Sequence, residues 1–177
     1  MRNESRKTAR RVAIAAVASA LGVVTLMLGS LVQVLDISMA VIASLFVVFG
    51  VIELRGHYPY LIYAVTAILA LLLLPVKSAA LIYLLFAGYY PIVKALLEGH
   101  LPPCLAWILK FVVFNAALGL ALLASLKLFV AEVPAEWVRY WWLIFLLEPV
   151  FLLYDIALTR LITVYVLRWR SRLRFLK

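Results

Sequence analysis

Long hydrophobic runs, separated by short breaks that contain polar residues, glycine or proline, dominate the chain. Most of the runs reach or approach the roughly 20 apolar residues with which a helix crosses a bilayer core about 30 Å thick. The pattern predicts an all-α integral membrane protein, a single domain over residues 1–177 with six transmembrane helices in a compact bundle. The predicted spans are residues 12–32, 37–54, 60–74, 79–97, 105–130 and 140–167.

Composition favours a membrane protein over a water-soluble one. Hydrophobic residues make up 68% of the chain and charged residues 14%, and the mean hydropathy is +1.13. A soluble domain could not keep that much apolar surface away from water. The net charge of +9 comes largely from basic residues near the two ends, where a membrane protein meets anionic lipid headgroups. We therefore expect the lipid bilayer as a partner and no nucleic acid.

The distribution of lysine and arginine predicts the orientation, because cytoplasmic loops carry an excess of both. With the N-terminus inside, an even number of spans returns the C-terminus to the cytoplasm, and only Lys77 and Arg139 lie outside. We therefore expect a multi-pass protein of a bacterial inner membrane, with residues 1–11 and 168–177 cytoplasmic. The basic residues then inside are Arg2, Arg6, Lys7, Arg10, Arg11, Arg55, Lys94, Arg168, Arg170, Arg172, Arg174 and Lys177.

Signatures of enzymes and metal sites are missing from the sequence. There is no His-Glu-x-x-His, no glycine-framed serine and no aspartate-rich cluster. Cys104 is the only cysteine and has no metal-ligand spacing around it. His57 and His100 fall in separate breaks between runs. We expect no enzymatic activity, no cofactor and no metal.

Two acidic residues fall within the sixth run. Trp141, Glu148 and Asp155 are spaced seven residues apart and therefore share one helix face. An acid near the membrane midplane costs about 2.5 kcal/mol or more, so both acids should face the bundle interior, a wet cavity or a cation. Lys110 lies in the same half of the membrane as Asp155 by this topology. We predict a Lys110–Asp155 ion pair.

Glu148 has no cation at its own depth and is followed by Pro149, which can bend the helix. This combination predicts a ligand cavity in the outer half of the bundle, with Glu148 and Asn115 on its wall and Trp141 as an aromatic wall or lid. The alternative is a protonated Glu148 that is hydrogen-bonded to Asn115.

Two further patterns indicate helix irregularity and close helix packing. Gly88-Tyr89-Tyr90-Pro91 combines a flexible residue, two aromatics and a helix breaker; it predicts either an aromatic-lined cavity or a kink filled by its neighbours. The first run carries small residues at Ala15, Ser19, Gly22 and Gly29, and a second pair at Ala16 and Ala20. Small residues let helices approach closely, either within the bundle or against another membrane subunit.

The six helices, the cytoplasmic ends and the Ala16-x-x-x-Ala20 pair resemble the substrate-binding (S) subunits of energy-coupling factor transporters. These bacterial subunits bind vitamins or similar micronutrients and associate with a transmembrane coupling subunit and two ATPases. The resemblance spans the whole chain in topology and implies that Ala16 and Ala20 dock a partner. It implies a ligand site in the outer half, at positions that match Gln33, Asp36, Tyr83, Asn115, Trp141, Trp142 and Glu148.

Two other classes are compatible with the same topology. One is a membrane scaffold resembling the rod-shape-determining membrane subunits, which needs surfaces for partners but no pocket. The other is a small stand-alone transporter that works as a homodimer. The sequence does not choose a ligand for the first class or a partner for the second.

Overall fold

The computed structural model describes residues 2–129 and 143–169, and these ranges contain helices and turns but no β-strand. A 3₁₀ turn at Gln33–Leu35 and π-helical turns at Gly50–Leu54, Tyr83–Ala87 and Tyr165–Trp169 complete the regular structure. The α-helices of these ranges are α1 Arg2–Leu31, α2 Asp36–Phe49, α3 Tyr58–Leu73, α4 Ser78–Ile82, α5 Tyr90–His100, α6 Pro103–Phe129 and α7 Leu143–Val164.

Five helical segments are long and apolar enough to cross a membrane, and they correspond to the first, second, fourth, fifth and sixth predicted spans. The third predicted span forms α3, which is apolar but has 16 residues and is therefore only about 24 Å long. The all-helical fold is confirmed for the described residues, while a membrane crossing by α3, which would make six spans, and the orientation stay predictions. The five segments are Glu4–Leu31, Asp36–Leu54, Ser78–His100, Pro103–Ala121 and Leu147–Arg168.

Proline and glycine mark the breaks between helices. Pro59 lies in the first turn of α3 and Pro103 begins α6, where a missing backbone N–H costs no intrahelical hydrogen bond. The turn between α2 and α3 uses two residues with positive φ, Arg55 (54°) and Gly56 (62°). The first helix starts earlier than its apolar run, because it continues through the basic N-terminal residues from Arg2.

The chain divides into two compact units, Met1–Ala124 and Ser125–Lys177. In the first unit, α1 packs along α2 and α3. The stripe of small residues on α1 is buried in this packing: a Cβ at Gly22 would lie 3.0 Å from the Thr66 side chain, and one at Gly29 would lie 2.9 Å from Met39. The described part of the second unit consists of the last residues of α6, 125–129, and of α7 with the π-helical turn that follows it. That the chain forms one transmembrane domain stays a prediction.

Candidate functional site

The fourth predicted span is an interrupted helix. After α4, the π-helical turn Tyr83–Ala87 leads into a turn at Gly88 and Tyr89, and α5 begins at Tyr90. The N–H of Gly88 donates to the carbonyl of Tyr83, five residues back, at 2.8 Å. Pro91 lacks the N–H that would continue the regular ladder. Interruptions of this kind within apolar helices are frequent at functional sites, because they expose backbone groups and redirect side chains.

Tyr63 on α3 contacts the interrupted segment of the fourth span. Its hydroxyl donates to the carbonyl of Leu84 within the π-helical turn at 2.8 Å, and its ring centroid lies 6.0 Å from that of Tyr83 and 6.1 Å from that of Tyr89. A carbonyl buried among apolar groups without a donor is costly, so this bond stabilises the irregular turn. Sequence reasoning missed Tyr63, whose only signal was one hydroxyl within an apolar run.

Aromatic rings fill the space around Gly88. A Cβ at this position would lie 2.7 Å from ring atoms of both Tyr63 and Tyr83, and Tyr83 is fully buried. On the same segment, the Phe86 ring contacts Tyr90 at 5.0 Å and Phe114 of α6 at 5.3 Å between centroids. Of the two interpretations of the Gly88–Pro91 motif, the kink filled by neighbours describes the packing at Gly88. Tyr83, a predicted ligand contact, belongs to this aromatic cluster.

Two buried lysines converge on one carboxylate near the end of α5. The Nζ atoms of Lys94 and Lys110 lie 2.8 and 2.5 Å from the same Oε1 atom of Glu98. Both lysine residues are nearly inaccessible, at 1% and 2%, whereas the Glu98 side chain is 44% exposed. Lys110 also lies 4.7 Å from the ring centroid of Trp107, a distance at which a cation and an aromatic face attract each other.

The role of Glu98 was not anticipated, although Lys94 and Glu98 have the i, i+4 spacing of a helical ion pair. Lys110 was assigned to Asp155 instead. Lys110 belongs to the first unit and Asp155 to the second, where Asp155 is buried and its backbone carbonyl accepts a hydrogen bond from Thr159 at 2.8 Å. The Lys110–Asp155 pair stays a prediction.

The other predicted ligand residues are distributed over both units. Asn115 is exposed on α6, and its side-chain amide donates to the carbonyl of Phe111 at 3.0 Å. Glu148 is half-buried on α7, directly before the intrahelical Pro149. Trp141 and Trp142 lie outside the described residues. A cavity that combines these side chains stays a prediction.

The second pair of small residues on α1 faces outward. Ala16 and Ala20 are exposed, whereas Ala15 and Ser19, one position earlier in each case, are buried. Ala13 is exposed as well, one turn before Ala16. The first helix therefore presents small side chains on two faces, one covered within the unit and one uncovered. We call the uncovered face, at Ala13, Ala16 and Ala20, the alanine surface.

Within the described ranges, no three histidine, cysteine or acidic side chains come together as metal ligands would. Comparisons of the chain with protein-family models, curated proteins and solved structures found no match. The candidate functional features of the described residues are the alanine surface, the interrupted helix with its aromatic cluster, and the buried lysines with Glu98.

Proposed function

We propose that this protein is a membrane-embedded substrate-binding subunit for the uptake of a small, vitamin-like micronutrient, energised by partner subunits. The observation that carries the proposal is the alanine surface on α1. It is a place where a second membrane protein can approach the helix backbone closely, next to a face that the protein's own helices already cover.

A membrane location is supported by the five long apolar segments and by side chains such as Val17, Leu72 and Leu153, each more than 60% exposed. Lipid would cover such side chains at no cost. In our proposal, α3 also crosses the membrane, and local thinning of the bilayer matches its short length. Both termini then lie in the cytoplasm, where their basic residues meet anionic headgroups.

Small residues favour docking between membrane helices, because lipid provides no hydrophobic driving force for helix association. Helices associate there by close van der Waals contact, which small residues permit and large ones prevent. Ala16 and Ala20 are one helical turn apart and both exposed, so a partner helix could contact the backbone of α1 over at least one turn. A transmembrane coupling subunit that carries ATPases is the partner we propose.

Ligand binding is supported by the interrupted span. π-helical turns within α-helices are frequent at functional sites, and the one at Tyr83–Ala87 lies within a segment long enough to span the membrane. We propose Glu148, Asn115, Tyr83 and Trp141 as ligand contacts, because a small polar molecule needs an apolar and aromatic lining with a few polar groups.

The docking arm of the proposal is tested by tryptophan substitution. Ala16→Trp and Ala20→Trp should leave the purified protein as stable as the wild type, since both positions are uncovered, but should abolish co-purification of a coupling subunit from native membranes. The matched control is Leu72→Trp, at a position that is also uncovered (73% exposed) but belongs to a different helix, α3. Retention of the partner by both alanine variants would contradict the proposal.

A scaffold is the second candidate, and the close packing around Gly88 favours it. Two tyrosine rings occupy the space where the helix is interrupted, and a scaffold needs no cavity there. Under this alternative, the alanine surface docks cell-wall machinery instead of a transport partner. The identity of the proteins that co-purify with the wild type, and are lost with Ala16→Trp, distinguishes the two candidates.

A further inference from the structure

A buried carboxylate lies at the start of α2, shortly after the C-terminal end of α1. Asp36, the first residue of α2, is 8% exposed. Its Oδ2 atom accepts a hydrogen bond from the hydroxyl of Ser78, whereas its Oδ1 atom is buried and has no hydrogen-bond partner among the described residues. A buried carboxylate oxygen without a hydrogen-bond donor or a cation is costly, and a bound cation would lower this cost.

Hydrogen bonds tie α1 to the segment that carries Ser78, the partner of Asp36. The hydroxyl of Ser30, near the end of α1, accepts a hydrogen bond from the N–H of Val76 at 3.1 Å, which ties α1 to the segment that contains Ser78. Lys77 lies between these two tethered residues, but its Nζ donates to the carbonyl of Leu74 at 2.5 Å. The lysine next to Ser78 therefore donates to a backbone carbonyl.

We propose that Oδ1 of Asp36 binds a monovalent alkali cation, Na⁺ or K⁺, where the ends of α1, α2 and α4 meet. Carboxylate, hydroxyl and carbonyl oxygens are the ligands that hard cations prefer. A single carboxylate balances a single positive charge, which favours a monovalent ion over a divalent one. Ser78 orients the carboxylate by holding Oδ2. This site is independent of the proposed transport function.

The test uses the full-length protein purified in detergent, with thermal unfolding followed by tryptophan fluorescence. Choline chloride is replaced by NaCl or KCl at constant ionic strength. A cation at about 100 times its Kd should raise Tm by about 5 °C or more. Asp36→Asn should abolish the shift, and Ser78→Ala should weaken the apparent affinity about fivefold. Glu4→Gln, which neutralises an exposed acid of α1, should keep the wild-type response.

Equilibrium dialysis with radioactive sodium and, as a stand-in for potassium, rubidium tells the two ions apart and should give about one bound ion per chain. If Asp36→Asn does not fold, the comparison of ion binding by the wild type and by Ser78→Ala in the same dialysis experiment tests the proposal. Equal Tm values in all three salts, without a bound ion, would overturn the proposal. A shift or a bound ion that persists in Asp36→Asn, or an unchanged affinity in Ser78→Ala, would also overturn it.

Discussion

Replacing Gly88 with alanine tests the packing of the interrupted helix. Gly88 has φ −71° and ψ −44°, values that any residue adopts, so glycine is required here by space and not by backbone conformation. An added Cβ would lie 2.7 Å from Tyr63 Cδ2, 2.7 Å from Tyr83 Cε1 and 2.8 Å from Tyr83 Cζ. None of the three contacts is with the far end of a flexible side chain, because all three atoms belong to packed aromatic rings.

Two opposing effects determine how much Gly88→Ala changes the free energy of unfolding. Forcing an extra carbon into a packed core costs about 1–3 kcal/mol, while alanine is more favourable than glycine in a helical backbone by about 0.5–1 kcal/mol. We expect Gly88→Ala to lower the free energy of unfolding by about 1–2 kcal/mol, which corresponds to a Tm lower by about 2–8 °C.

The assay is thermal unfolding of the purified protein, with Gly119→Ala as the matched control. Gly119 lies within α6, and a Cβ there would meet nothing within 4 Å, so only the helix-propensity gain applies. Gly119→Ala should therefore leave Tm unchanged or raise it slightly. A Gly88→Ala protein that is as stable as the wild type would refute the close packing of Tyr63 and Tyr83 on the break.

Four further results are expected from the same structure. Tyr63→Phe removes the hydrogen bond to the π-helical turn and should lower the free energy of unfolding by about 0.6–1.7 kcal/mol, whereas Tyr60→Phe at an exposed position should leave it unchanged. Equal effects of the two substitutions would contradict a stabilising role of the Tyr63 hydrogen bond. Glu98→Gln should destabilise by about 1–2 kcal/mol, less than a fully buried pair because Glu98 is half-exposed; no loss of stability would show that the lysines do not depend on it. Arg55→Gly should raise Tm by about 2–4 °C, since φ 54° with ψ −177° is a conformation for glycine; a lower Tm would contradict that. Reporter fusions after Lys77 and at the C-terminus should report opposite sides of the membrane, and the same side for both would contradict six spans.

The helices were predictable because the bilayer imposes one dominant rule: long apolar runs become helices and their interruptions become turns. The breaks near Arg55, Pro75 and Pro102 were located correctly for this reason. The length of α3 was less predictable, because Leu74 is as apolar as its neighbours but lies outside the helix that ends at Leu73. Hydropathy reports only how apolar a residue is, whereas the end of this helix depends on the backbone conformation that Pro75 imposes on Leu74.

Contacts between distant segments could not be read from local patterns. Tyr63 and Leu84 are 21 residues apart, and nothing near either residue indicates that they meet. The i, i+4 spacing of Lys94 and Glu98 was visible, but the arrival of Lys110 at the same carboxylate depends on how α5 and α6 pack. By contrast, the spacing of Ala16 and Ala20 placed them on one face before the structure showed that the face is uncovered.

The most direct test of the proposed function is the heat stability of the purified protein against a panel of vitamins and related micronutrients. One chemically related group of compounds should raise Tm by about 5 °C or more at saturating concentration. Glu148→Gln, which keeps the size of the side chain and removes its charge, should lose most of that increase while unfolding normally without ligand. If no compound raises Tm, or if Glu148→Gln responds as the wild type does, the substrate-binding account is contradicted.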